Sequence, residues 1–414
     1  LSKAVSALAK EFDWLDDPAD KGNTYVNNGY KDYTLLQALE PAENTYVADF
    51  ALTQDERSIS DYTEAGILHN FVPKDYASFG LAEKDTVPLK GIHFNKIFWT
   101  NKNFKNVTGK DLYNIWQVAG SSKDADHLSK VPFQSPITEQ INMSFLLSCY
   151  APAAQARIEK AYKEYYGKDW EASEKYATAG EQWVKEFLDT VNATDGRWHS
   201  SDGTAMKDTQ LKDDWKAGYV YFGAYSKMKD AAGRGFAVPG QETDPILKDL
   251  VKEVKTPKYD AKGNEMKDEN NNTVYEKVQG VCSMDTVQWD WEIEGFNGYF
   301  YTMDSQIVNN AKHPYMACLF ARFLLDGDFY KSAIYSDKTP SVNAEGQKEN
   351  GNQYGYYYPG EMPAYGTTTT KPTTNSYDWS KTQWIERSLT EDYTYLSKVK
   401  AMTVAYIQSL VKIH

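Results

Sequence analysis

The stretch GFNGYFYTMDSQIVNNAKHPYMACLFARFLL, residues 295–325, decides the fold of this chain. Side chains from Tyr299 onward alternate with the period of two that is typical of a β-strand, and this strand extends to Val308. After the turn that ends at His313, the apolar residues follow helical spacing. Pro314 stands at the first helical position, where proline is favoured. We therefore predict a strand, a turn and an amphipathic helix in that order.

Strand and helix signals also alternate along the first hundred residues. The segments TYVADFAL (45–52) and GIHFNKIFW (91–99) are rich in β-branched and aromatic residues, and they predict two strands. Between them, residues 58–64 predict a helix that ends at Gly66, because glycine is common just after a helix. This alternation indicates an α/β fold with open, mainly parallel sheets and helices on both faces.

Composition bounds the size and the class of the protein. With 414 residues the chain is too long for one hydrophobic core, so we expect two domains. A net charge of −13 opposes binding to nucleic acid, and no apolar run reaches the ~18 residues of a membrane span. The three cysteines and six histidines are scattered without metal-ligand spacing. Catalytic motifs are absent too, so we predict neither catalytic residues nor a metal or other cofactor.

The strand, the turn NNAKHP (309–314) and the following helix resemble a segment of the extracellular, periplasmic-type solute-binding proteins of ABC importers. In that family, a strand returning from the second lobe ends in such a turn before a helix. The segments VADFALTQD (47–55) and SISDYTEAGILHNFVP (58–73) are similar to the first-lobe unit of the same family. The segment VTGKDL (107–112) is similar to the helix with which the chain enters the second lobe.

The resemblance implies a type II, two-lobed periplasmic-binding-protein-like fold with a hinge between the lobes. Lobe one would contain residues 1–104 and 288–414, and lobe two would contain residues 105–287. Family members usually open with a strand, whereas residues 1–12 of this chain predict a helix. Two segments are local elaborations: residues 255–280 predict an exposed β-hairpin, and residues 326–380 predict irregular structure.

The same resemblance implies a substrate-binding component that captures a small polar solute by hinge closure around an interlobe cleft. The chain would be a monomer that delivers its solute to the membrane permease of an ABC transporter. Its place would be extracellular, periplasmic or anchored at the cell surface, with the export signal already removed. No enzymatic step is implied.

Three segments are candidates for the ligand site, because ligands of two-lobed α/β proteins bind where the loops at the carboxyl ends of strands face the cleft between the lobes. Thr53 and Gln54 follow the first strand, where they equally suit a polar helix cap. Ser135 and Thr138 stand at the start of a helix predicted over residues 137–150, whose positive end would attract an anionic or hydroxyl-rich group. An ordinary helix cap explains Ser135 as well. Tyr221 lies in a strand predicted over residues 217–225, where core packing is the alternative.

A fourth segment carries the densest set of candidates. Trp289 and Asp290 lie in QWDWE (288–292), and Phe296, Asn297 and Tyr299 follow in GFNGY (295–299). The resemblance places ligand and hinge residues here. A Trp next to a carboxylate can stack on a sugar while the acid binds its hydroxyl groups, or it can surround a cationic amine. The alternative is that these aromatic residues belong to the core.

The ligand class stays open between several readings. The 31 tyrosines favour a carbohydrate, because they combine flat apolar area with a hydrogen-bonding group, and the Trp–Asp pair suits a polyamine. Ferric ion is an alternative that the resemblance offers, with residues 356–358, three consecutive tyrosines, as candidate ligands. A second alternative is a secreted carbohydrate-active enzyme with an aromatic cleft and a pair of carboxylates.

Overall fold

The computed structural model describes residues 48–54, 56–79, 81–101, 112–120, 124, 126–128, 131–193, 198–199, 201–202, 205, 217–221, 251–258, 266–282, 287–289, 293–325, 361–363, 385–399 and 401–412. The helix predicted over residues 1–12, most of the segment 326–380 and the tyrosines at 356–358 lie outside these residues.

The described strands and helices follow one another in an α/β order. The strands are β1 Phe50–Thr53, β2 Leu68–Asn70, β3 Leu89–Asn101, β4 Phe133–Gln134, β5 Trp198–His199, β6 Ala217–Tyr221, β7 Val251–Pro257, β8 Tyr275–Cys282, β9 Val287–Trp289, β10 Gly298–Val308, β11 Glu361–Pro363 and β12 Leu389–Thr390. The helices are α1 Glu56–Glu64, α2 Trp116–Ala119, α3 Gln140–Ser148, α4 Pro152–Tyr166, α5 Ala179–Asn192, α6 Pro314–Phe323, α7 Tyr393–Leu396 and α8 Ala401–Leu410.

The described residues divide into two compact units, each made of three chain segments. Unit 1 takes them from Leu1–Asn95, Gln140–Ala151 and Tyr299–Ala405. Unit 2 takes them from Lys96–Glu139, Pro152–Gly298 and Tyr406–His414. The lobe bounds expected from the sequence stay a prediction.

Strand β10 forms the centre of unit 1. It pairs antiparallel with β1 and β2 and parallel with β12, and nearly all of its residues are buried. Helix α6 begins at Pro314, and its Ala321 packs against Leu81, Leu89 and Leu325. The strand and the helix predicted from residues 295–325 are therefore confirmed, and so is the stop of α1 near Gly66, whose φ is +70°.

Unit 2 combines a small sheet with helices α2, α4 and α5. Strand β6 lies between β3 and β4, and β5 lies on the other side of β4. Two buried tryptophans fix the helices to one another, since Trp116 Nε1 donates to the Ile158 carbonyl and Trp183 Nε1 donates to the Ile115 carbonyl, each at 3.1 Å. Strands β7 and β8 form a separate antiparallel hairpin, as the segment 255–280 predicts.

Strand directions correct the expectation of mainly parallel sheets. The pairs β1–β10, β2–β10, β3–β6, β3–β9, β3–β11 and β7–β8 are antiparallel, whereas β4–β5, β4–β6 and β10–β12 are parallel. Alternation of strands and helices predicts parallel neighbours only where a crossover joins the two strands that pair. Here many neighbours come from distant parts of the chain, so the described sheets are mixed.

Candidate functional site

Three strands of unit 2 bring their polar residues level with one another. Lys96 in β3 pairs with Tyr221 in β6, and Tyr219 in β6 pairs with Phe133 in the parallel strand β4. Ser135, two residues after Phe133, therefore lies level with Tyr221, at the carboxyl ends of β4 and β6. We call this row of residues, together with Asp202 after β5, the polar edge of unit 2.

Lys96, which is buried, and Asp202, which is partly buried, form an ion pair at the polar edge. Lys96 Nζ donates to Asp202 Oδ1 at 3.2 Å, and the side chains are only 2% and 14% exposed. The register places Lys96 on the same face of the sheet as Phe133, whose ring packs edge-on against Phe187 of α5 at 5.1 Å. Helix α5 thus packs on this face of the sheet. The burial of Lys96 keeps bulk water away from its ammonium and strengthens its attraction to the partly exposed carboxylate.

Ser135 lies in a turn and not at a helix start. Its Oγ accepts from Ile137 N at 3.3 Å, and its carbonyl accepts from the backbone N of Thr138 and of Glu139. Helix α3 begins only at Gln140, so the expected helix over residues 137–150 starts three residues late. The positive helix end therefore does not lie at Ser135. Thr138 is exposed, and its Oγ1 donates to the Ser135 carbonyl at 3.3 Å.

The segment before β10 is packed into unit 2. Phe296 is fully buried, and its ring meets Trp183 edge-on at 5.2 Å. The Asn297 carbonyl accepts from Phe98 N at 3.1 Å, and the residue is 1% exposed. Gly295 has a φ of +101°, which glycine adopts without strain. Contact of Phe296 and Asn297 with a ligand stays a prediction, and it would require this packing to open.

The remaining candidates lie in two places. In unit 1, Thr53 is 1% exposed and its Oγ1 donates to the Asp304 carbonyl at 3.4 Å, and Gln54 beside it is half-buried. Tyr299, also in unit 1, is fully buried, and the Ser148 hydroxyl donates to its Oη at 3.3 Å. In unit 2, Trp289 lies in β9 opposite Trp99. Asp290 lies outside the described residues.

A second polar cluster in unit 2 contains three tyrosines and two aspartates. Tyr113 Oη donates to Asp126 Oδ2 at 3.0 Å, and Tyr166 Oη donates to Asp124 Oδ2 at 3.3 Å. The Tyr165 ring lies 4.8 Å from that of Tyr166 and 6.4 Å from that of Tyr113. Burial, followed by the hydrogen bond to Asp126, raises the pKa of Tyr113 to about 12. Burial, followed by the charge of Asp124, raises the pKa of the other two phenols. All three are protonated at neutral pH.

Sequence reasoning missed Lys96 and Asp202. Lys96 had a visible signal, because it is the one Lys, Arg, Asp or Glu in the strand segment 91–99, which is mostly apolar and aromatic. A charge inside a buried strand needs a partner, and therefore marks a special position. Asp202 had no signal, since it lies in a polar segment 106 residues away from Lys96.

The described residues contain neither a cluster of metal ligands nor a membrane-spanning helix. No three of their His, Cys, Asp and Glu side chains are arranged to hold a metal ion. In the same part of the chain, no helix combines the length and the apolar character that crossing a membrane requires.

Solved structures share the fold of this chain. The periplasmic binding protein MotA from A. tumefaciens B6, in complex with glucopine, matches with a TM-score of 0.52 and 9% identity, over 98% of this chain and 94% of MotA. Iron-bound HitA from Pseudomonas aeruginosa matches with a TM-score of 0.51 and 12% identity, over 100% and 97% of the two chains. A Bordetella ferric binding protein matches with a TM-score of 0.50 and 12% identity, over 99% and 95%.

No protein-family model matches the chain, and no curated protein matches it. The structural matches extend over nearly the whole length of both chains in each comparison. The chain therefore has the type II fold of the periplasmic solute-binding proteins of ABC importers, as the segment 295–325 implied.

Proposed function

We propose that this protein is the substrate-binding component of an ABC importer and binds a small polar solute without chemical change. The observation that carries the proposal is the polar edge of unit 2, where the Lys96–Asp202 ion pair lies level with Ser135 and Tyr221 at the carboxyl ends of β4 and β6. Strand ends are the usual ligand position in open α/β sheets. The full-length likeness to binding proteins supports the same function.

In this proposal, two lobes close around the solute, and the closed form is recognised by a membrane permease. Hinge closure of this kind couples ligand binding to a change of shape that a partner can read. The protein would work as a monomer outside the cytoplasmic membrane, in the periplasm or at the cell surface. Small-angle X-ray scattering should then show a smaller radius of gyration when the solute is bound.

A carbohydrate or a polyamine is the solute class that the sequence favours. The polar edge supports a hydroxylated solute, because an ammonium and a carboxylate can both hydrogen-bond to hydroxyl groups. Ligand contacts by Trp289 and Asp290 belong to the same proposal. Stacking of Trp289 on a sugar ring would add apolar contact area to these hydrogen bonds.

Ferric ion is the second candidate, and the solved structures favour it. Two of the three matching structures named above are described as iron-bound or ferric-binding proteins. In this chain, the cluster of Tyr113, Tyr165, Tyr166, Asp124 and Asp126 offers oxygen atoms of the kind that a hard cation prefers. Because the phenol pKa values are raised, iron binding there must release protons. A visible phenolate-to-iron absorption band together with proton release would support this candidate.

Thermal unfolding of the whole chain with a panel of compounds tests the proposal. The panel contains neutral sugars, spermidine, ferric citrate, citrate and L-glutamate. A ligand that binds only the folded state at a hundredfold excess over its Kd adds about 2.7 kcal/mol of stability. We expect a clear rise of the melting temperature with one chemical class. If every class leaves the melting temperature unchanged, the proposed function is wrong.

A further inference from the structure

The ion pair of the polar edge has hydrogen-bonding capacity that the described residues leave unused. A lysine ammonium has three donor hydrogens. Among the described residues, Asp202 is the one acceptor of Lys96, through Oδ1 at 3.2 Å. The other oxygen, Asp202 Oδ2, has no hydrogen-bond partner within the same part of the chain. Two donors and a carboxylate oxygen therefore stand side by side.

The burial of Lys96 makes its unused donor hydrogens costly. Lys96 is 2% exposed, so bulk water cannot satisfy its ammonium in the way that it satisfies a surface lysine. Buried polar groups are almost always hydrogen-bonded, and exceptions point to a bound molecule or to a functional position. The same residue lies level with Ser135 and Tyr221 at the carboxyl ends of two strands, where ligands bind.

The charge of the pair indicates which chemical class fits. Lys96 and Asp202 neutralise each other, so the site offers donors and an acceptor without net charge. A hydroxyl group is itself donor and acceptor, and two neighbouring hydroxyls can bind one to each side chain while the ion pair stays intact. We infer that Lys96 and Asp202 bind neighbouring hydroxyl groups of a neutral polyhydroxylated solute. This inference rests on the proposed function and names its substrate class.

Other ligand classes fit the pair less well. A metal cation or a polyamine would meet the positive charge of Lys96 next to the carboxylate. An anion would meet the negative charge of Asp202. A zwitterion such as an amino acid would have to separate two groups that are in contact at 3.2 Å. The repulsion of like charges and the separation of the ion pair both cost more free energy in a partly buried position, where water screens charges weakly.

Ser135 supplies one more donor to the same solute. It is 5% exposed, and its Oγ accepts from Ile137 N. Within the described residues its hydroxyl hydrogen has no acceptor, so the O–H is available to a third hydroxyl group. Ser135 and Lys96 lie level with one another on either side of β6, and together with Asp202 they suit a ring or a chain that carries several hydroxyls.

Isothermal titration of the whole chain tests this inference. The probes are D-glucose, maltose and D-mannitol, with L-glutamate, citrate, spermidine and ferric citrate as the competing classes. We expect one of the three neutral polyols to bind. Asp202→Asn should then weaken that binding about tenfold or more, because an amide nitrogen replaces the free acceptor oxygen. Lys96→Met should weaken it by a similar factor.

Matched controls separate this effect from a general loss of charge. Lys163 and Asp169 form an ion pair in the same unit at 2.9 Å, but their side chains are 62% and 76% exposed. Lys163→Met and Asp169→Asn should leave the affinity for the polyol unchanged. Because Lys96→Met leaves a buried carboxylate without its cation, the double variant with Asp202→Asn is made as well. Thermal unfolding without solute verifies that each variant is folded.

The outcomes distinguish the inference from the proposed function. Binding of glutamate, citrate, spermidine or iron in place of a polyol would overturn the inference and leave the proposed function standing. Equally tight binding of a polyol to the original chain, to Asp202→Asn and to the double variant would also overturn the inference and leave the proposed function standing. Failure of every probe would count against both.

Discussion

Gly298 lies where the backbone of unit 2 has no room for a side chain. A Cβ at this position would overlap the carbonyl oxygen of Lys96 and lie 2.8 Å from Ile97 Cα. Because both atoms belong to the backbone of β3, a side chain cannot be accommodated by a change of rotamer. The missing side chain of Gly298 thus allows β10 to approach the backbone of β3, the strand that carries Lys96 of the polar edge.

We expect Gly298→Ala to lower the free energy of unfolding by about 3 kcal/mol, at the upper end of the range for overpacked sites. The control is Gly167→Ala, where φ is +69° and a Cβ would meet nothing within 4 Å. That control should cost only the left-handed backbone strain, about 1 kcal/mol. Urea unfolding of both variants measures the difference. Equal losses would show that the contact with Lys96 is unimportant.

Glu186 of α5 makes the stability of unit 2 depend on pH. Burial raises the pKa of its carboxyl group, although Gln182 Nε2 donates to Oε1 at 2.9 Å. A carboxyl group with a raised pKa in the folded state destabilises the fold once it is ionised. This loss is absent below the unfolded pKa of about 4.3 and grows as the pH rises through the folded pKa.

Glu186→Gln should therefore raise the free energy of unfolding at about pH 7 and have little effect at about pH 4. The variant keeps an oxygen that can accept from Gln182, so the hydrogen bond is not the cause of the change. Urea unfolding at both pH values measures the effect. A stabilisation of the same size at both values would mean that the charge of Glu186 is not responsible.

At the scale of an element, helix α5 depends on the residue that precedes it. Thr178 has extended backbone angles, its Oγ1 accepts from Glu181 N at 3.1 Å, and Ala177 N donates to Glu181 Oε2 at 2.9 Å. The first bond satisfies a donor that the helix itself leaves unpaired, and the second ties the residue before the cap to the first turn. The two bonds thereby fix the start of helix α5. Phe187 of the same helix packs against Phe133 on the sheet.

Thr178→Ala should lower the free energy of unfolding by about 1 kcal/mol, the usual effect of losing a cap. Thr178→Ser keeps the oxygen and should stay close to the original chain. Denaturant unfolding of the three proteins provides the measurement. If serine destabilises as much as alanine, the lost interaction is the packing of the methyl group and not the hydrogen bond.

Elements with a strong local pattern could be predicted from the sequence, and those set by tertiary packing could not. The alternation from Tyr299 and the proline at 314 define β10 and α6, because both signals lie within the elements themselves. Helix α3 begins later than expected, because Ser135 uses its side chain and its carbonyl in a turn before Gln140. A capping residue and a turn residue look alike in sequence, since both use the same hydroxyl.

At the scale of the whole molecule, the direction of the strands and the members of the polar edge depend on distant chain segments. Lys96 and Asp202 are 106 residues apart, and β1 pairs with β10 from the other end of the chain. Local spacing carries no information about such pairs. The family resemblance supplied the fold, because one segment of the chain preserves a recognisable order of strand, turn and helix.

Each unit is made of three separate chain segments, and this leads to a prediction for the fragment 1–298. Unit 1 needs Tyr299–Ala405, because β10 supplies the antiparallel partner of β1 and β2. Helix α3 also loses the contact of its Ser148 with Tyr299. Unit 2 loses only Tyr406–His414. Hydrogen exchange of the fragment should therefore show unprotected amides in β1 and β2 and protected amides in α4 and α5.

The full chain serves as the reference, and all of these elements should be protected in it. The missing end of unit 2 removes the bond from Asn192 Nδ2 to the Leu410 carbonyl at 2.6 Å, so protection of α5 should fall first at its C-terminus. Protection of β1 and β2 in the fragment would mean that these strands find another partner and that unit 1 does not depend on β10. Loss of protection throughout α4 and α5 would mean that unit 2 depends on residues 299–414 and does not fold by itself within this fragment.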